Sequence, residues 1–448
     1  MAETFIAIDT HDINAMIEIY HTYTSMCISD QIHMHILSVL RDRKDLLSRI
    51  SRRRNSSRKK TGDYDYICYK LRGYPTDEQR AFLSMTAGCC RYLWNRMTAD
   101  GKASDFRARA KTPKHYKSDP DCIWLKDADA LALANVQLNF ESACADYRSG
   151  QRGRPRFKKK HLCRDAYTTN ISSTGARNLR LDGDMLTLPK TKGAIRLAMT
   201  RPVPEGAVLK KCTVCHEPDG SWMFALVFQI ESPKTISAVF YKNPDEVRHI
   251  GLDMSLPKLY IASNGETADF YKAYRRLEKR IGREQRRLSH MQRGGKNYEK
   301  QCRRVAKLHA KAKHQRSDML HKLSCRLTNE FDVISIEDLD MAAMKKGLRF
   351  GKSVSDNGWG SLVQMLDYKA ARKGDIVIRA GKFFPSSKTC CKCGHVHKEL
   401  ELSDRTYICP KCGNVMGRDK QASINIDKEG LRLFFQLVDM INQDQAAA

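Results

Sequence analysis

Four cysteines near the carboxyl terminus have the spacing of a tetrahedral metal site. Cys390 and Cys393 form one Cys-x-x-Cys pair, and Cys409 and Cys412 form a second pair after 15 intervening residues. Each pair can direct two thiolates to one side of a Zn²⁺ ion, and a β-ribbon between the pairs closes the shell. Four thiolates leave no position for water, so the predicted zinc is structural and its binding is coupled to folding. Cys391 could compete as a ligand, but the Cys-x-x-Cys register favours Cys390.

Three carboxylates stand in similar local settings and could bind a second kind of metal. Asp253 ends a short apolar strand that begins at His249, Glu337 follows the apolar Val333–Ile336, and Asp419 opens the last helix. An acid at the end of a buried strand is held rigidly while its side chain still reaches solvent. Three such acids can converge on two Mg²⁺ ions, which prefer hard oxygen ligands and activate water for phosphodiester hydrolysis. Spacing alone leaves open the alternative that each acid is a turn or helix-capping residue.

A third cysteine pair, Cys212-Thr213-Val214-Cys215-His216, has the spacing of a c-type haem attachment site. Haem attachment would need export and a helical haem-binding setting, and the sequence indicates neither. The pair lies in an alternating strand, where residues three apart point to opposite faces and cannot easily share a metal. We therefore expect Cys212 and Cys215 to be ordinary strand residues.

The charge of the chain indicates a polyanionic partner. The 448 residues include 79 Lys plus Arg against 51 Asp plus Glu, a formal net charge of +28. Such an excess destabilises a compact monomer by self-repulsion unless a polyanion neutralises it, and DNA or RNA is the usual one. The length exceeds that of one ordinary core, which predicts roughly two to four domains.

The sequence also indicates the compartment. No stretch approaches the roughly 18 uncharged apolar residues of a membrane span. The amino terminus, MAETFIAIDTHD, has neither the basic nor the apolar region of a secretory signal. Without an export signal, the 16 cysteines fit reduced thiols better than disulfides. We expect a cytoplasmic protein with no membrane partner.

Hydrophobic patterning predicts the elements that position these residues. The segment 64–71 alternates like a strand, and Thr76-Asp77-Glu78-Gln79 is typical of a capping box that opens a helix. Further strands are expected over 166–240, over 249–270 as three short strands, and at 333–336 and 376–379. Further helices are expected over 129–147, over 271–330 as two long basic helices, and over 362–371 and 421–441.

The spacing of apolar residues predicts which helix faces are buried. In the first helix the face holds Phe82, Met85, Cys89 and Leu93, and in the second it holds Leu131, Ala134, Leu138 and Cys144. The aromatic residues Trp359, Tyr368, Phe383 and Phe384 could stack on nucleobases, but core packing is the favoured interpretation.

Taken in order, these elements resemble the TnpB nucleases of bacterial transposons and their relatives, the miniature type V (V-F-like) CRISPR effectors. The resemblance runs from about Tyr66 to Lys428. It rests on Leu71-Arg72-Gly73-Tyr74-Pro75-Thr76, Gly251-Leu252-Asp253, Ile336-Glu337-Asp338-Leu339, Phe384-Pro385-Ser386-Ser387-Lys388-Thr389-Cys390, and Arg418-Asp419 with Asn425-Ile426. No single motif is decisive, but their order is specific, with the cysteine ribbon between the second and third acids.

The resemblance implies an α/β multidomain fold. Its parts would be an RNase H-like RuvC nuclease domain with an inserted zinc ribbon, an OB-like β-barrel wedge domain and a helical recognition lobe. The implied ranges are 63–75 for a wedge strand, 76–165 for the recognition lobe, 166–245 for the wedge β-barrel, 246–384 for the nuclease domain with its long basic helices, 385–416 for the target-nucleic-acid-binding ribbon and 417–448 for the rest of the nuclease domain. Residues 1–62 end in a basic linker and have no counterpart in that family; we expect an RNA-binding or dimer-forming addition.

The resemblance further implies an RNA-guided DNA endonuclease that hydrolyses phosphodiester bonds of target DNA next to a short flanking motif. Asp253, Glu337 and Asp419 would be its catalytic acids and would hold Mg²⁺. Arg405 matches an arginine near that family's catalytic centre. The implied partners are a guide RNA and double-stranded and single-stranded target DNA, in a bacterial or archaeal cytoplasm and at the nucleoid.

Two departures from the family and several alternatives follow from the residues. Gly417 stands where that family often has an acid and Gln421 where it often has Asn, and both changes could alter the support of the metal. The rival functions are a nuclease-inactive RNA-guided repressor and a guide-independent zinc-ribbon accessory protein of transposition. The residues do not separate a transposon nuclease from a CRISPR effector, nor a monomer from a homodimer on one guide RNA.

Overall fold

The computed structural model describes residues 64–160, 164–172, 178–231, 238–269, 273–341, 344, 357–401 and 404–446. These residues group into two compact units. One lies within 59–234 and 284–307 and is called the seven-stranded unit after its sheet; the other lies within 235–283 and 308–448 and is called the five-stranded unit. The extension predicted over residues 1–62, with its basic linker, lies outside the described residues.

The seven-stranded unit is built on one antiparallel sheet with the strand order β2-β6-β7-β1-β5-β4-β3. Its strands are β1 (Tyr64–Tyr74), β2 (Asp165–Asn170), β3 (Arg180–Asp182), β4 (Met185–Thr187), β5 (Ile195–Leu197), β6 (Val208–His216) and β7 (Trp222–Glu231). Exposed and buried side chains alternate along β1, with Ile67, Tyr69 and Leu71 in the core. This alternation is typical of an antiparallel sheet with one packed face. The strand predicted over 64–71 is confirmed, and the strands predicted over 166–240 are confirmed as far as Glu231, whereas Ala238–Tyr241 is a 3₁₀ helix.

Two hairpin turns of this sheet need glycine. Gly183 connects β3 to β4 with a φ of 58°, and Gly220 lies between β6 and β7 with a φ of 88°. A residue with a Cβ atom is strained at such positive φ values, whereas glycine is not. Both Asp-Gly pairs therefore fix where the chain reverses.

The helices of this unit are α1 (Asp77–Lys102), α2 (Pro113–Lys117) and α3 (Ala130–Arg148), with a short 3₁₀ helix at Pro120–Lys126. The predicted capping box is present: the Thr76 hydroxyl accepts from the Gln79 N–H at 3.3 Å, and the Gln79 side chain accepts from the Thr76 N–H at 2.9 Å. These bonds satisfy two backbone donors at the start of α1. Of the predicted face of α1, Cys89 and Leu93 are buried and the other two residues are half-buried.

The buried face of α3 differs from the prediction. Leu138 is 62% exposed, whereas Val136 and Phe140 are buried. The ring of Phe140 packs edge-on against that of Trp94 in α1, with centroids 5.3 Å apart. This aromatic contact sets the rotation of α3 because burying a phenyl ring removes more apolar surface from water than burying Leu138. Of the four predicted residues, Cys144 alone is buried.

The five-stranded unit contains a mixed sheet with the order β10-β9-β8-β11-β12. Strands β8 (His249–Met254), β11 (Val333–Glu337) and β12 (Ile376–Ala380) are parallel, and β9 (Tyr260–Ala262) and β10 (Thr267–Ala268) are antiparallel neighbours. Its other elements are α4 (Ala273–Ser289), α5 (Lys296–Glu330), α6 (Trp359–Lys373), α7 (Arg418–Ala446) and the separate hairpin β13 (Thr406–Ile408) and β14 (Val415–Gly417). Residues 284–307 of α4 and α5 belong to the seven-stranded unit.

Helices cover both faces of the five-stranded sheet. On one face, Leu320 of α5 and Leu366 of α6 pack with Ile336; on the other, Phe434 of α7 packs with Ile378. Parallel strands covered on both sides read as continuous apolar runs, which is why sequence patterning found these strands. The elements predicted over 249–270, 271–330, 333–336, 362–371, 376–379 and 421–441 are confirmed, and the fold is α/β. None of the described helices combines the length and apolar character that crossing a bilayer requires.

Two glycines allow α7 to lie directly on the strands. A Cβ atom added at Gly251 of β8 would lie 2.6 Å from the backbone nitrogen of Asp427, and one added at Gly430 of α7 would lie 2.5 Å from Cβ of Ser335. Contacts this short force neighbouring atoms to move. Glycine at both positions therefore sets the distance between α7 and strands β8 and β11.

We expect Gly430→Ala to lower the free energy of unfolding by about 1–3 kcal/mol, because the added methyl group overpacks against buried Ser335. This loss would outweigh the roughly 1 kcal/mol by which Ala is favoured over Gly inside a helix. Denaturant unfolding of the full chain measures the effect. Gly360→Ala in α6 is the control, since the nearest atom to its Cβ would be 3.6 Å away. Equal stability of the two variants would contradict the contact.

A buried carboxylate joins the starts of the parallel strands. Asp332, which is 3% exposed, accepts hydrogen bonds from Nη2 of Arg248 at 2.7 Å, from the Arg248 N–H at 3.0 Å and from Nζ of Lys242 at 2.9 Å. Burial alone would raise its pKa, but the bonds from Arg248 and Lys242 lower it overall. Burial and the charge of Asp332 raise the pKa of nearby Asp375 to about 6, because the opposing effect of Lys373, Arg248 and Lys242 is smaller.

We expect Asp332→Asn to cost about 3 kcal/mol of stability at pH 7, because it leaves two cations without their carboxylate. Since the folded pKa of Asp332 lies below its unfolded value, its contribution is complete above that unfolded value, near pH 4, and is lost as the pH falls below it. The difference between wild type and variant should therefore shrink below about pH 4. Asp375→Asn is the matched control and should be neutral or stabilising at pH 7. Denaturant unfolding as a function of pH measures both, and a pH-independent difference would contradict the assignment.

Candidate functional site

Asp253 and Glu337 lie side by side at one edge of the five-stranded sheet. Leu252 of β8 pairs with Ile336 of β11 in parallel register, so the two acids follow at the next position of neighbouring strands. The carboxyl ends of parallel strands meet at the same sheet edge, where α/β proteins commonly place functional groups. Asp253 is 9% exposed and Glu337 is half-buried.

The third acid reaches this edge from α7. Asp419 stands in the first turn of α7, and the close packing of that helix on β8 and β11 carries it to the two strand acids. Burial raises the pKa of Asp253 well above its usual range, and the negative charges of Glu337 and Asp419 raise it further, while Arg418 lowers it. The charges of Glu337 and Asp419 therefore lie close enough to Asp253 to act on its carboxyl group.

The acids are more widely spread than the ligands of a single tight site. Among the described residues, four cysteines alone form a group whose possible metal-binding atoms all lie within 4.8 Å of one another. A centre with two metal ions, which lie about 3.5–4 Å apart, does not need every acid on the same ion.

A serine and an asparagine hold Glu337 in place. The Ser386 hydroxyl donates to Oε1 of Glu337, and Nδ2 of Asn425 in α7 donates to the carbonyls of Ser386 at 2.7 Å and Thr389 at 2.6 Å. Both Ser386 and Asn425 are buried. Sequence analysis assigned neither residue a role, although both belong to the motifs that carried the family resemblance.

Further polar contacts hold α7 against the neighbouring strands. Lys420 donates to the carbonyls of Ala262 at 3.3 Å and Ser263 at 2.6 Å, and Nδ1 of His249 lies 2.9 Å from Oδ1 of Asp427. Because Lys420 follows Asp419 directly, its bonds to the end of β9 fix the first turn of the helix. The hydrogen bonds of the Lys420 side chain therefore help to set the position of Asp419, the third acid.

Arg418 is a basic group beside the acids. Nε of Arg418 lies 3.9 Å from Oδ1 of Asp419, and this arginine lowers the pKa of Asp253. Arg405 has an exposed side chain, and its backbone carbonyl accepts from the Arg418 N–H at 2.9 Å. The backbone of Arg405 is thus bonded to the residue that precedes Asp419, while the side chain of Arg405 is exposed to solvent.

The predicted zinc ligands are brought together in the ribbon. The Sγ atoms of Cys390 and Cys412 are 3.6 Å apart, as are those of Cys393 and Cys409. Zinc–sulfur bonds of about 2.3 Å in a tetrahedron put sulfur atoms roughly 3.8 Å apart, which agrees. The four cysteines could therefore hold a metal such as zinc, and Cys391 is not in the group.

The backbone of the ribbon favours the thiolate form of two of the four cysteines. Two matching turns surround the cysteines, in which Gly394 donates to the carbonyl of Cys390 and Gly413 to that of Cys409. Both glycines have positive φ, 71° and 66°. Burial raises the pKa of Cys390 and Cys409, but hydrogen bonds from neighbouring backbone N–H groups lower it overall. A lowered pKa favours the thiolate, which is the form that binds metal.

The structure also shows the surroundings of four other residues that were singled out from the sequence. Cys212 and Cys215 are buried in β6 and, within the described part of the chain, belong to no group that could hold a metal. Gln421 is fully buried and accepts from Nδ2 of Asn414 in the ribbon at 3.3 Å, so it links α7 to the ribbon. A Cβ atom at Gly417 would meet no atom within 4 Å.

The aromatic residues divide into core and surface. Trp359 is 1% exposed and packs in the core, as predicted. Phe384 is half-buried. The core packing expected for Phe383 and Tyr368 is wrong, because their side chains are 90% and 39% exposed. Phe383 lies in a tight turn after β12, where the chain reverses and no neighbouring element covers it.

Three family models match parts of the chain: "Probable transposase" (OrfB_IS605) over residues 228–347, "Cas12f1-like, TNB domain" over residues 359–426, and "Helix-turn-helix domain" over residues 66–103. The last range covers strand β1 and helix α1 here. The first range contains Asp253 and Glu337, and the second contains the four cysteines and Asp419.

Two curated relatives match this chain over most of their own length. A protein of Streptomyces pristinaespiralis named "Putative RNA-guided DNA endonuclease" is 32% identical over 375 residues, which cover 81% of this chain and 89% of that protein. "Putative RNA-guided DNA endonuclease InsQ" of Escherichia coli is 26% identical over 383 residues, covering 80% and 90%. A solved structure described as "Cryo-EM structure of the Cas12f1-sgRNA-target DNA complex" aligns with 82% of this chain and 99% of its own, at 13% identity and a TM-score of 0.48.

Proposed function

The chain belongs to the TnpB-like family of RNA-guided DNA endonucleases, and we propose that it performs that activity itself, cutting target DNA under the direction of a bound guide RNA. The observation that carries the proposal is the meeting of Asp253 and Glu337 at the ends of adjacent parallel strands, with Asp419 beside them. Mutually repelling acids cost stability, and a protein that only binds nucleic acid has no need of them.

In this proposal, Asp253, Glu337 and Asp419 hold two Mg²⁺ ions in a RuvC-type hydrolytic centre. The donor set fits, since carboxylates are the hard oxygen ligands that Mg²⁺ prefers. The raised pKa of Asp253, caused by burial and by the other two acids, reflects a negative charge that a cation would relieve. Bound Mg²⁺ supplies activation of the attacking water and stabilisation of the leaving 3′ oxygen.

Groups of the chain itself prepare this chemistry. The Ser386 hydroxyl orients Glu337, and Arg418 lowers the pKa of Asp253 and so favours its charged, metal-binding form. The buried ends of β8 and β11 keep the acids in a fixed arrangement before substrate binds. Such preorganisation avoids the cost of rearranging groups during the reaction.

The ribbon over residues 385–416 would bind a structural Zn²⁺ through Cys390, Cys393, Cys409 and Cys412 and help guide single-stranded target DNA to the acids. Its hydrogen bond to Arg418 through the carbonyl of Arg405 links the ribbon hairpin to the start of α7. The exposed Arg405 side chain would contact a phosphate of that strand.

The remaining parts would hold the guide RNA and its heteroduplex with target DNA. We assign residues 63–75 and 166–245 to an OB-like wedge and residues 76–165 to a recognition lobe, which read a short flanking motif in the duplex. The nuclease domain, with the long basic helices, takes residues 246–384 and 417–448. Helix α4 carries seven Lys or Arg against two Glu, as expected of a helix that contacts phosphates.

The proposal is tested with the full chain and its own RNA. The chain is purified, the bound RNA is sequenced, and its guide segment is replaced to match a plasmid with randomised flanking sequence. We expect cutting that requires Mg²⁺ and the matched guide, next to one short motif, and none with a scrambled guide.

Two other results would support the rival functions. Guide-dependent binding of the plasmid without cutting would identify an RNA-guided binding protein. Absence of bound RNA, together with DNA binding that ignores the guide, would identify an accessory protein of transposition.

A further inference from the structure

An exposed phenyl ring stands beside the acidic site. Phe383 is 90% exposed, more than any other large apolar side chain among the described residues. It lies at the tip of a tight turn in which the Phe384 N–H donates to the carbonyl of Gly381 at 2.8 Å, next to exposed Lys382. Exposing an apolar ring to water gains nothing for folding.

Both ends of this turn are attached to Glu337. Ala380, at the end of β12, pairs with Glu337 in the parallel register, and Ser386 donates its hydroxyl to the Glu337 carboxylate. Phe383 is three residues from each attachment point. Because consecutive Cα atoms are 3.8 Å apart, the Cα of Phe383 lies no more than about 11 Å from that of Ala380. The ring is therefore tied to the acidic site through the backbone on both sides.

The base of the turn is rigid. Asn425 of α7 donates to the carbonyls of Ser386 and Thr389, and the Ser386 N–H donates to the carbonyl of Phe384 at 2.8 Å. A ring presented on a fixed turn loses little conformational entropy when it binds a partner. The turn thus combines three features of a stacking platform: a free aromatic face, a fixed base and an adjacent cation.

We propose that the phenyl ring of Phe383 stacks on a nucleobase of the target DNA strand next to the phosphate to be cut, with Lys382 beside the adjoining phosphate. A protein partner is disfavoured because the ring stands beside Lys382 and half-buried Phe384, without the broad apolar patch that protein interfaces need. Aromatic stacking is tolerant of sequence because every base has a π face. The contact suits an enzyme whose sequence choice lies in its guide, and the proposal rests on the proposed function.

The test pairs Phe383→Ala with removal of single bases from the substrate. Single-turnover cutting is measured with the full chain, matched guide and Mg²⁺, using target strands that carry one abasic nucleotide at successive positions around the cut. Loss of one stacked base is worth about 5- to 150-fold. We expect Phe383→Ala to slow cutting of intact DNA by that factor. Phe383→Trp should retain the wild-type rate of cutting. At one position the abasic nucleotide should slow cutting by the wild type by a similar factor, whereas the rate of cutting by Phe383→Ala should not change further.

The controls separate the possible failures. Tyr368→Ala, which removes a 39% exposed aromatic from α6 of the same unit, should cut like wild type. Equal cutting by Phe383→Ala and wild type would overturn the stacking role, and so would abasic effects that are as large in Phe383→Ala as in wild type at every position. If wild type itself fails to cut, the proposed function falls and the stacking role falls with it. Thermal unfolding should be the same for wild type and Phe383→Ala, since the ring is exposed.

Discussion

Replacing Asp253 by Asn is expected to reduce guided DNA cutting on the order of 1,000-fold or more. Loss of a group that only supports a metal ligand costs 10- to 100-fold, and loss of the ligand itself should cost more. Asp253 is the most buried of the three acids and the one on which the charges of Glu337 and Asp419 act. Single-turnover cutting with matched guide and saturating Mg²⁺ measures the loss.

The same variant should be at least as stable as wild type when divalent metal is chelated. The folded pKa of Asp253 is raised by burial and by the other two acids, so its charge destabilises the fold increasingly as the pH rises through that pKa. Removing the charge removes that cost at neutral pH. A replacement that lowers activity but raises stability is distinguished in this way from a replacement that merely unfolds the chain.

Asp269→Asn is the matched control for this experiment. Asp269 is an exposed acid of the same unit that pairs with Lys258 at 2.6 Å. The Asp269→Asn variant should cut target DNA at the wild-type rate. Retention of cutting by Asp253→Asn, with Asp269→Asn unchanged, would show that Asp253 takes no part in the reaction.

The second large effect is expected from loss of one cysteine of the ribbon. Cys409→Ser should lose the bound metal and unfold the ribbon, because, among the residues that the structure describes, the buried apolar cluster there consists of Leu400 and Tyr407 with two of the cysteines. So small a core cannot fold without its metal, and metal binding in such modules provides about 10–16 kcal/mol. Since α7 begins directly after β14, an unfolded ribbon would also release Asp419 and abolish cutting.

Metal content by mass spectrometry and guided cutting measure this prediction. Cys391→Ser is the control, because Cys391 is buried beside the site but is not in the metal-binding group. We expect one zinc per chain in wild type and in Cys391→Ser, and none in Cys409→Ser. Full zinc content in Cys409→Ser, or its loss in Cys391→Ser, would assign the ligands differently.

Much of this arrangement could be predicted because its signals are local. Strands β8, β11 and β12 are buried on both faces and therefore appear as short apolar runs. The two cysteine pairs identify themselves by their spacing. The acids were found because each follows such a run or opens a helix, but spacing could not show that they meet; the parallel register of β8 and β11 and the close packing of α7 do that.

The contacts that were missed join residues far apart in the chain. Ser386 lies 49 residues from Glu337, and nothing in either local sequence indicates their hydrogen bond. The exposure of Phe383 could not be predicted either, because two adjacent phenylalanines normally indicate a core. The prediction of which face of α3 is buried was wrong, because apolar residues at helical spacing occur on two of its faces. The contact between Phe140 and Trp94 decides between these faces.

Three acids that are distant in sequence are proposed to share one metal centre. Iron-directed cleavage of the polypeptide tests this shared centre most directly. Fe²⁺ placed in the site generates hydroxyl radicals with ascorbate and peroxide, which cut the backbone close to the metal. We expect cuts near Asp253, Glu337 and Asp419 in the same preparation, suppressed by excess Mg²⁺ and absent from Asp253→Asn. Cuts near only one of these residues, or a pattern unchanged in Asp253→Asn, would contradict a shared centre.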